Sequence, residues 1–172
     1  MSLETDMSSL PRVKAVSAAK APLTLKVEWA DGRRSTVDLT GLVYSSKHFR
    51  IFADHPDKFR QVKPVNWGDG IGWENGLDYS ANTLRTLADE QLPMPGKYLL
   101  LFEKQRSLHI EETAHLFSVT ARTIKNWRNQ PELPLTVCIA LRQFEHDPTL
   151  FAAHYRPIEV KPRGRPKEKR SA

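Results

Sequence analysis

Apolar and polar positions alternate from Leu23 onward. Leu23, Leu25, Val27 and Trp29 are separated by Thr24, Lys26 and Glu28, the two-residue period of a strand with one buried face. Asp31-Gly32 follows as a hairpin turn, because Gly tolerates positive φ, and Val37 and Leu39 alternate on a return strand. Val13 and Val16 predict a further strand ahead of these. The mixed stretch Gly41–Phe59 predicts one short helix, with His55-Pro56-Asp57 as a turn or helix start. Gln61–Trp73 predicts a second hairpin that turns at Gly68-Asp69-Gly70. Ser80 is placed to cap a helix running to about Leu87.

Beyond a Pro/Gly connector at 89–97 the period becomes helical. Counting from Ile110, the small residue Ala114 falls fifth, Phe117 eighth, Val119 tenth, Ile124 fifteenth and Trp127 eighteenth. Two helices joined by a tight turn must touch at such positions. The small side chain allows a close crossing, and the apolar ones bury the inner face of the second helix. Polar side chains fill its outer face: Thr120, Arg122, Thr123, Lys125, Asn126 and Asn129. A recognition helix offers such a face to the major groove. Glu111 and Glu112 suit the positive end of the first helix, and Thr120 suits an N-cap. Ser118 occupies a left-handed turn position, where Gly is usual, and predicts modest strain. Arg128 either adds a phosphate contact or is solvated.

Farther on, Val137, Ala140, Leu141 and Phe144 form a core stripe, while Leu135, Cys138 and Ile139 spill outside it. A helix apolar on most sides is central or lies at an interface, so residues 135–151 are expected to help form a homodimer. Asp147-Pro148 starts a further short helix. The expected organisation is a loose segment 1–10, a small α+β domain 11–88 with antiparallel hairpins, an all-α domain 98–156 and a disordered basic tail 157–172. The fold class is α+β.

Charge sharpens this picture. The 172 residues carry a formal net charge of +6. Residues 1–90 hold 12 basic and 12 acidic side chains, so the excess belongs to the second half. Residues 156–172 alone hold seven basic and two acidic side chains. A basic tail beside a compact domain suggests a polyanion, although a solubilising tail has the same composition. Hydrophobic residues, at 40%, suffice for a core, but the apolar run Tyr98–Phe102 is far too short to span a membrane. The acidic start Met1–Asp6 does not read as a secretory signal, and the single Cys138 leaves no disulfide framework. A cytoplasmic protein is expected.

Three segments resemble known families. Trp73-Glu74-Asn75-Gly76-Leu77-Asp78, followed by Leu84, looks like the closing signature of the domain-of-unknown-function 2442 family. Asp31-Gly32, Val37-Asp38-Leu39 and Phe59 precede it in the expected order. Glu74 stands where that family usually has proline. The resemblance spans roughly residues 12–86 and implies a small α+β fold without an established chemistry. Leu108–Trp127 resembles the Xre and lambda-repressor-like helix-turn-helix family, with His109 for the usual Ser and Ser118 for Gly. Tyr98–Arg106 and Pro131–Glu145 look like the flanking helices. This resemblance implies that Thr120, Arg122, Lys125 and Asn126 face base edges or phosphates of double-stranded DNA, with Asn129 at the end of the face; Thr123, on the same polar face, is expected to join the DNA-binding set. Arg can pair with guanine, and Asn with adenine, through two parallel hydrogen bonds.

Pro162-Arg163-Gly164-Arg165-Pro166-Lys167 resembles an AT-hook. Gly164 lets the backbone lie on the floor of an A·T-rich minor groove, where Arg163 and Arg165 meet a deep negative potential. Lys161, Lys167, Lys169 and Arg170 would neutralise phosphates.

Other chemistries find little support. His48, His55, His109, His115, His146 and His154 show no zinc spacing, and no metal or other cofactor is expected. Gly68–Gly72 opens no predicted helix, so it reads as a turn rather than a phosphate cradle. Asp69, Glu74 and Asp78 read as solvated loop residues, and with no catalytic constellation the chain is not expected to be an enzyme. Three functions stay open. The first is a bacterial, nucleoid-associated transcriptional regulator, more simply a repressor. The second is an antitoxin-like protein whose N-terminal domain binds a protein partner while the second half autoregulates. The third is an enzyme in the N-terminal domain, which convergent carboxylates in a pocket would favour.

Overall fold

The computed structural model describes residues 10–158. The chain divides between Leu92 and Pro93 into two units, each with its own core.

The first unit opens with β1 (Val13–Ala18), β2 (Thr24–Trp29) and β3 (Arg34–Asp38), an antiparallel sheet in sequence order. Leu25, Val27 and Trp29 point into the core, as the alternation predicts. Leu23 does not extend the strand. It is a left-handed turn residue at φ 49° whose carbonyl accepts from the Leu39 amide at 2.8 Å. Gly32 turns the second hairpin at φ 83°. Where one helix is expected, three short ones form: α1 (Thr40–Ser45), α2 (Ile51–Asp54) and α3 (Pro56–Phe59). They are fixed less by local propensity than by an aromatic cluster. Phe52 lies 4.8 Å from Trp73 and 5.6 Å from Phe59 between ring centroids, and the Trp73 indole donates to the Phe59 carbonyl at 2.9 Å.

A second antiparallel sheet follows in the order β4 (Lys63–Val65), β5 (Gly70–Gly72), β6 (Asp78–Ser80). The β4–β5 turn falls at residues 66–69, earlier than the expected Gly68-Asp69-Gly70, because Gly70 already pairs with Val65 in the sheet. The third strand is not anticipated, although Asn75-Gly76 is a strong hairpin signal; Gly76 turns it at φ 81°. Next comes α4 (Ala81–Glu90), capped by Ser80, whose hydroxyl accepts from the Thr83 amide at 3.1 Å. The Gln91 side-chain amide then accepts from the Asp38 amide at 2.8 Å and donates to its carbonyl at 2.7 Å. Those two bonds hold residue 91 to the edge of β3.

The second unit is helical: α5 (Gly96–Gln105), α6 (Ile110–Leu116), α7 (Ala121–Arg128), α8 (Leu135–His146) and α9 (Pro148–His154). Leu99, Phe102, Ile124 and Leu141 form the centre of its core. Of the three apolar residues expected to spill off the α8 stripe, Cys138 is buried, whereas Leu135 and Ile139 are 69% and 48% exposed. Among the described residues no helix is long and apolar enough to cross a membrane.

Candidate nucleic-acid interface

The candidate surface is built from α6, a short turn and α7. Helix α6 starts at His109, whose backbone N–H donates to Glu112 Oε2 at 2.8 Å, one half of a capping box. It ends at the left-handed Ser118, φ 54°. There the Val119 amide reaches back to the Ala114 carbonyl at 2.8 Å and the Ser118 amide to the His115 carbonyl at 3.0 Å. This is the hydrogen-bonded stop that glycine favours, and Ser118 holds it at a backbone cost of the order of 1 kcal/mol.

Thr120 caps α7: its hydroxyl oxygen accepts from the Thr123 amide at 3.2 Å. Ile124 is fully buried, and Trp127 meets the edge of Phe117 with ring centroids 6.1 Å apart. These contacts fix the rotation of α7 and therefore its outer face. Thr120, Arg122, Lys125, Asn126 and Asn129 are exposed on that face. Arg122 and Lys125 form no ion pair, among the described residues, that would neutralise them. Two members of the expected strip are partly committed to the fold. Thr123 is half-buried, its hydroxyl 3.0 Å from that of Thr120, and the Asn129 amide donates to the Lys125 carbonyl at 3.0 Å.

Arg128 is partly committed to the fold rather than simply solvated. Its Nε donates to Glu103 Oε2 at 2.8 Å, joining the end of α7 to α5, and the Glu103 side chain is 3% exposed. The other oxygen of Glu103 is buried without a protein donor. Gly96 lies at the same seam. Its amide donates to the Gln130 carbonyl at 3.0 Å, and a Cβ there would fall inside the Trp127 carbonyl. Leu133 likewise donates to the Met94 carbonyl at 2.8 Å. The segment 94–96, expected as connector, is thus built into the second unit. Neither the Glu103 pair nor the Gly96 seam is anticipated from sequence, because both join residues at least 25 positions apart.

Glu112 has a second task. Its Oε1 accepts from the Tyr155 hydroxyl at 2.8 Å and from the Ile158 amide at 3.4 Å. The His109 backbone N–H and the Tyr155 hydroxyl hold this carboxyl below the ordinary glutamate range, against the opposing effect of burial. Residues 155–158 are thereby tied to α6. Lys161, Arg163, Gly164, Arg165 and Lys167 lie outside the described residues. No cluster of three or more potential metal ligands occurs among the described residues.

Residues 13–90 match the family described as protein of unknown function, DUF2442, so the first unit is similar to that family. No curated protein matches the chain. A solved structure of a candidate DNA-binding protein from Nitrosomonas europaea ATCC 19718 aligns with 20% identity and a TM-score of 0.44. The alignment covers 78% of this chain and 86% of that one.

Proposed function

We propose that this chain is a sequence-specific double-stranded DNA-binding protein that regulates transcription, in the simplest case as a repressor that occupies a promoter. One observation carries the reading: α7 is anchored through Ile124 and Trp127 while Arg122, Lys125 and Asn126 face solvent with their donors uncommitted. A helix held by its inner face behind a tight turn, with Arg and Asn outward, has the chemistry of a major-groove reader. The tail around Arg163 and Arg165 is assigned to an adjacent A·T-rich minor groove on the strength of its sequence. Exposed Leu135 and Ile139, one helical turn apart, are the surface through which two copies would pair. A dimer of that kind would read half-sites separated by roughly 10 base pairs or a multiple. The site of action is the cytoplasm, on the nucleoid, with no metal or cofactor taking part.

Selection of bound sequences from random DNA, with full-length chain and with residues 157–172 removed, tests the proposal. Arg122→Ala or Asn126→Ala should relax preference at one base position, by about 1–3 kcal/mol, with the fold intact. Equal loss for every sequence would reduce those residues to phosphate contacts, and no binding at low salt would end the reading. Loss of the tail should flatten the dependence of affinity on salt, and an unchanged slope would remove the tail from the interface.

A second reading, an antitoxin-like protein whose first unit masks a partner, has its own observation. Trp67 is 94% exposed and sits between Asn66 and Gly68, all three at positive φ. A large aromatic on a fixed turn is a common anchor in protein interfaces. Co-purification of a second chain that Trp67→Ala abolishes would favour this reading.

A further inference from the structure

The first unit contains a cleft that the DNA-binding reading does not use. The β1–β2 loop, residues 19–23, arches over α1, α2 and α3 and leaves a hollow of ≈ 350 Å3 beneath it. The loop is closed by the Ala19 amide on the Thr24 carbonyl at 2.8 Å, and by the Thr24 hydroxyl on the Pro22 carbonyl at 2.9 Å. Left-handed Leu23 is pinned to Leu39, so the roof is fixed by hydrogen bonds. Its apolar lining comes from Leu23, Tyr44, Ala53 and Pro56, with the nearly buried edges of Phe52 and Phe59 behind them.

Two lining residues differ in chemistry from the rest. Lys20 and Arg60 border both this hollow and the depression next to it, both are exposed, and neither forms an ion pair among the described residues. That depression is shallow and is also bounded by Ser17, Ala18 and Ala19. Asp54 and Asp57 lie on α2 and α3 but do not line the cleft. An apolar lining with two uncompensated cations beside it sorts ligands by polarity: hydrocarbon against the lining, negative charge toward the cations.

We propose that this cleft binds a small organic acid, one carboxylate on an aromatic or branched apolar body, with the carboxylate toward Lys20 and Arg60 and the body against the apolar lining of Leu23, Tyr44, Ala53 and Pro56. The volume lies at the small end of ligand pockets, which suits a body of one ring rather than a nucleotide or an extended cofactor. Charge complementarity with Lys20 and Arg60 selects the acid over its neutral analogue. The assignment stands on the first unit alone and is independent of whether α7 reads DNA.

The test uses full-length chain with 4-phenylbutyrate and its uncharged counterpart 4-phenylbutanamide as probes, titrated by calorimetry and by ligand-observed NMR. Saturable binding of the acid is expected, with the amide about tenfold weaker, as two partly exposed cations would give. The double variant Lys20→Ala/Arg60→Ala should erase the difference between acid and amide and leave amide binding unchanged. Ala53→Trp should fill the hollow and abolish both. Should that variant unfold, intermolecular NOEs from the probe ring to Leu23 and Tyr44 in the unmodified chain decide the matter. Absence of saturable binding, equal affinity for acid and amide, or NOEs elsewhere would overturn the proposal. So would displacement of the acid by a synthetic peptide of residues 1–9, whose Glu4 and Asp6 would then be the better occupant.

Discussion

Arg128 shows how far position on a helix can mislead when read alone. It follows Trp127 and precedes Asn129, next to the outer strip in sequence, yet its guanidinium turns back to Glu103 on α5. The partner is 25 residues away, and nothing in local periodicity marks it. The pair costs desolvation to form, so its net contribution is small, but losing one member is expensive. Arg128→Ala would strand a buried carboxylate with no donor at either oxygen. It should lower the stability of the second unit by about 3 kcal/mol in urea unfolding, while Arg122→Ala changes it by less than about 0.5 kcal/mol. Similar losses for the two variants would mean that Arg128 is as free as its neighbour. The exposure of Thr120, Arg122, Lys125, Asn126 and Asn129 is legible, because apolar anchors at Ile124 and Trp127 fix the rotation of the helix; the partial commitment of Thr123 and Asn129 to local hydrogen bonds is not.

Among elements, those with strong caps and a sustained period were readable and those of three or four residues were not. Thr120 and Ser80 do cap α7 and α4, and Asp147 accepts from the Thr149 amide at 2.9 Å to start α9. By contrast α2 and α3 have four residues each and exist because Phe52 and Phe59 must reach Trp73, a tertiary demand invisible in a window. β6 escapes for a different reason: its three residues are too few to show alternation, and only the Asn75-Gly76 turn ahead of it marks it. Helix α6 carries a prediction of its own. Because the native structure lowers the pKa of Glu112, its contribution is fully present above the ordinary glutamate value and is lost as pH falls through the lowered one. Thermal melting across the acid range should show the second unit weakening on acidification. Glu112→Gln should start less stable at neutral pH and lose less on the way down. Parallel curves for the two proteins would place the acid sensitivity elsewhere.

Among the described residues each unit has a buried core of its own. The second begins at Pro93, and its opening residues Met94 and Gly96 supply backbone bonds that close the end of α7. A fragment starting at 93 should therefore fold and unfold cooperatively by itself, whereas one starting at 98 should melt at lower temperature or fail to fold. Calorimetry of the two fragments checks this, and equal melting points would show that the Gly96 seam contributes nothing. The sequence made the change from strand to helix period plain, as it did the concentration of positive charge toward the C-terminus. It did not locate the junction, since Pro and Gly at 93–96 have the composition of a linker while the backbone there is bound into a helical core.

The outward side chains of α7 have a consequence for how such a chain can change. The side chains of Arg122, Lys125 and Asn126 form no hydrogen bond or ion pair among the described residues, so other residues can be tried at these sites with little penalty to folding. Gly96, packed against the backbone of Trp127 and Arg128 at the end of the same helix, tolerates not even a methyl group. Variation can rewrite the lettering on this helix without disturbing the page on which it is printed.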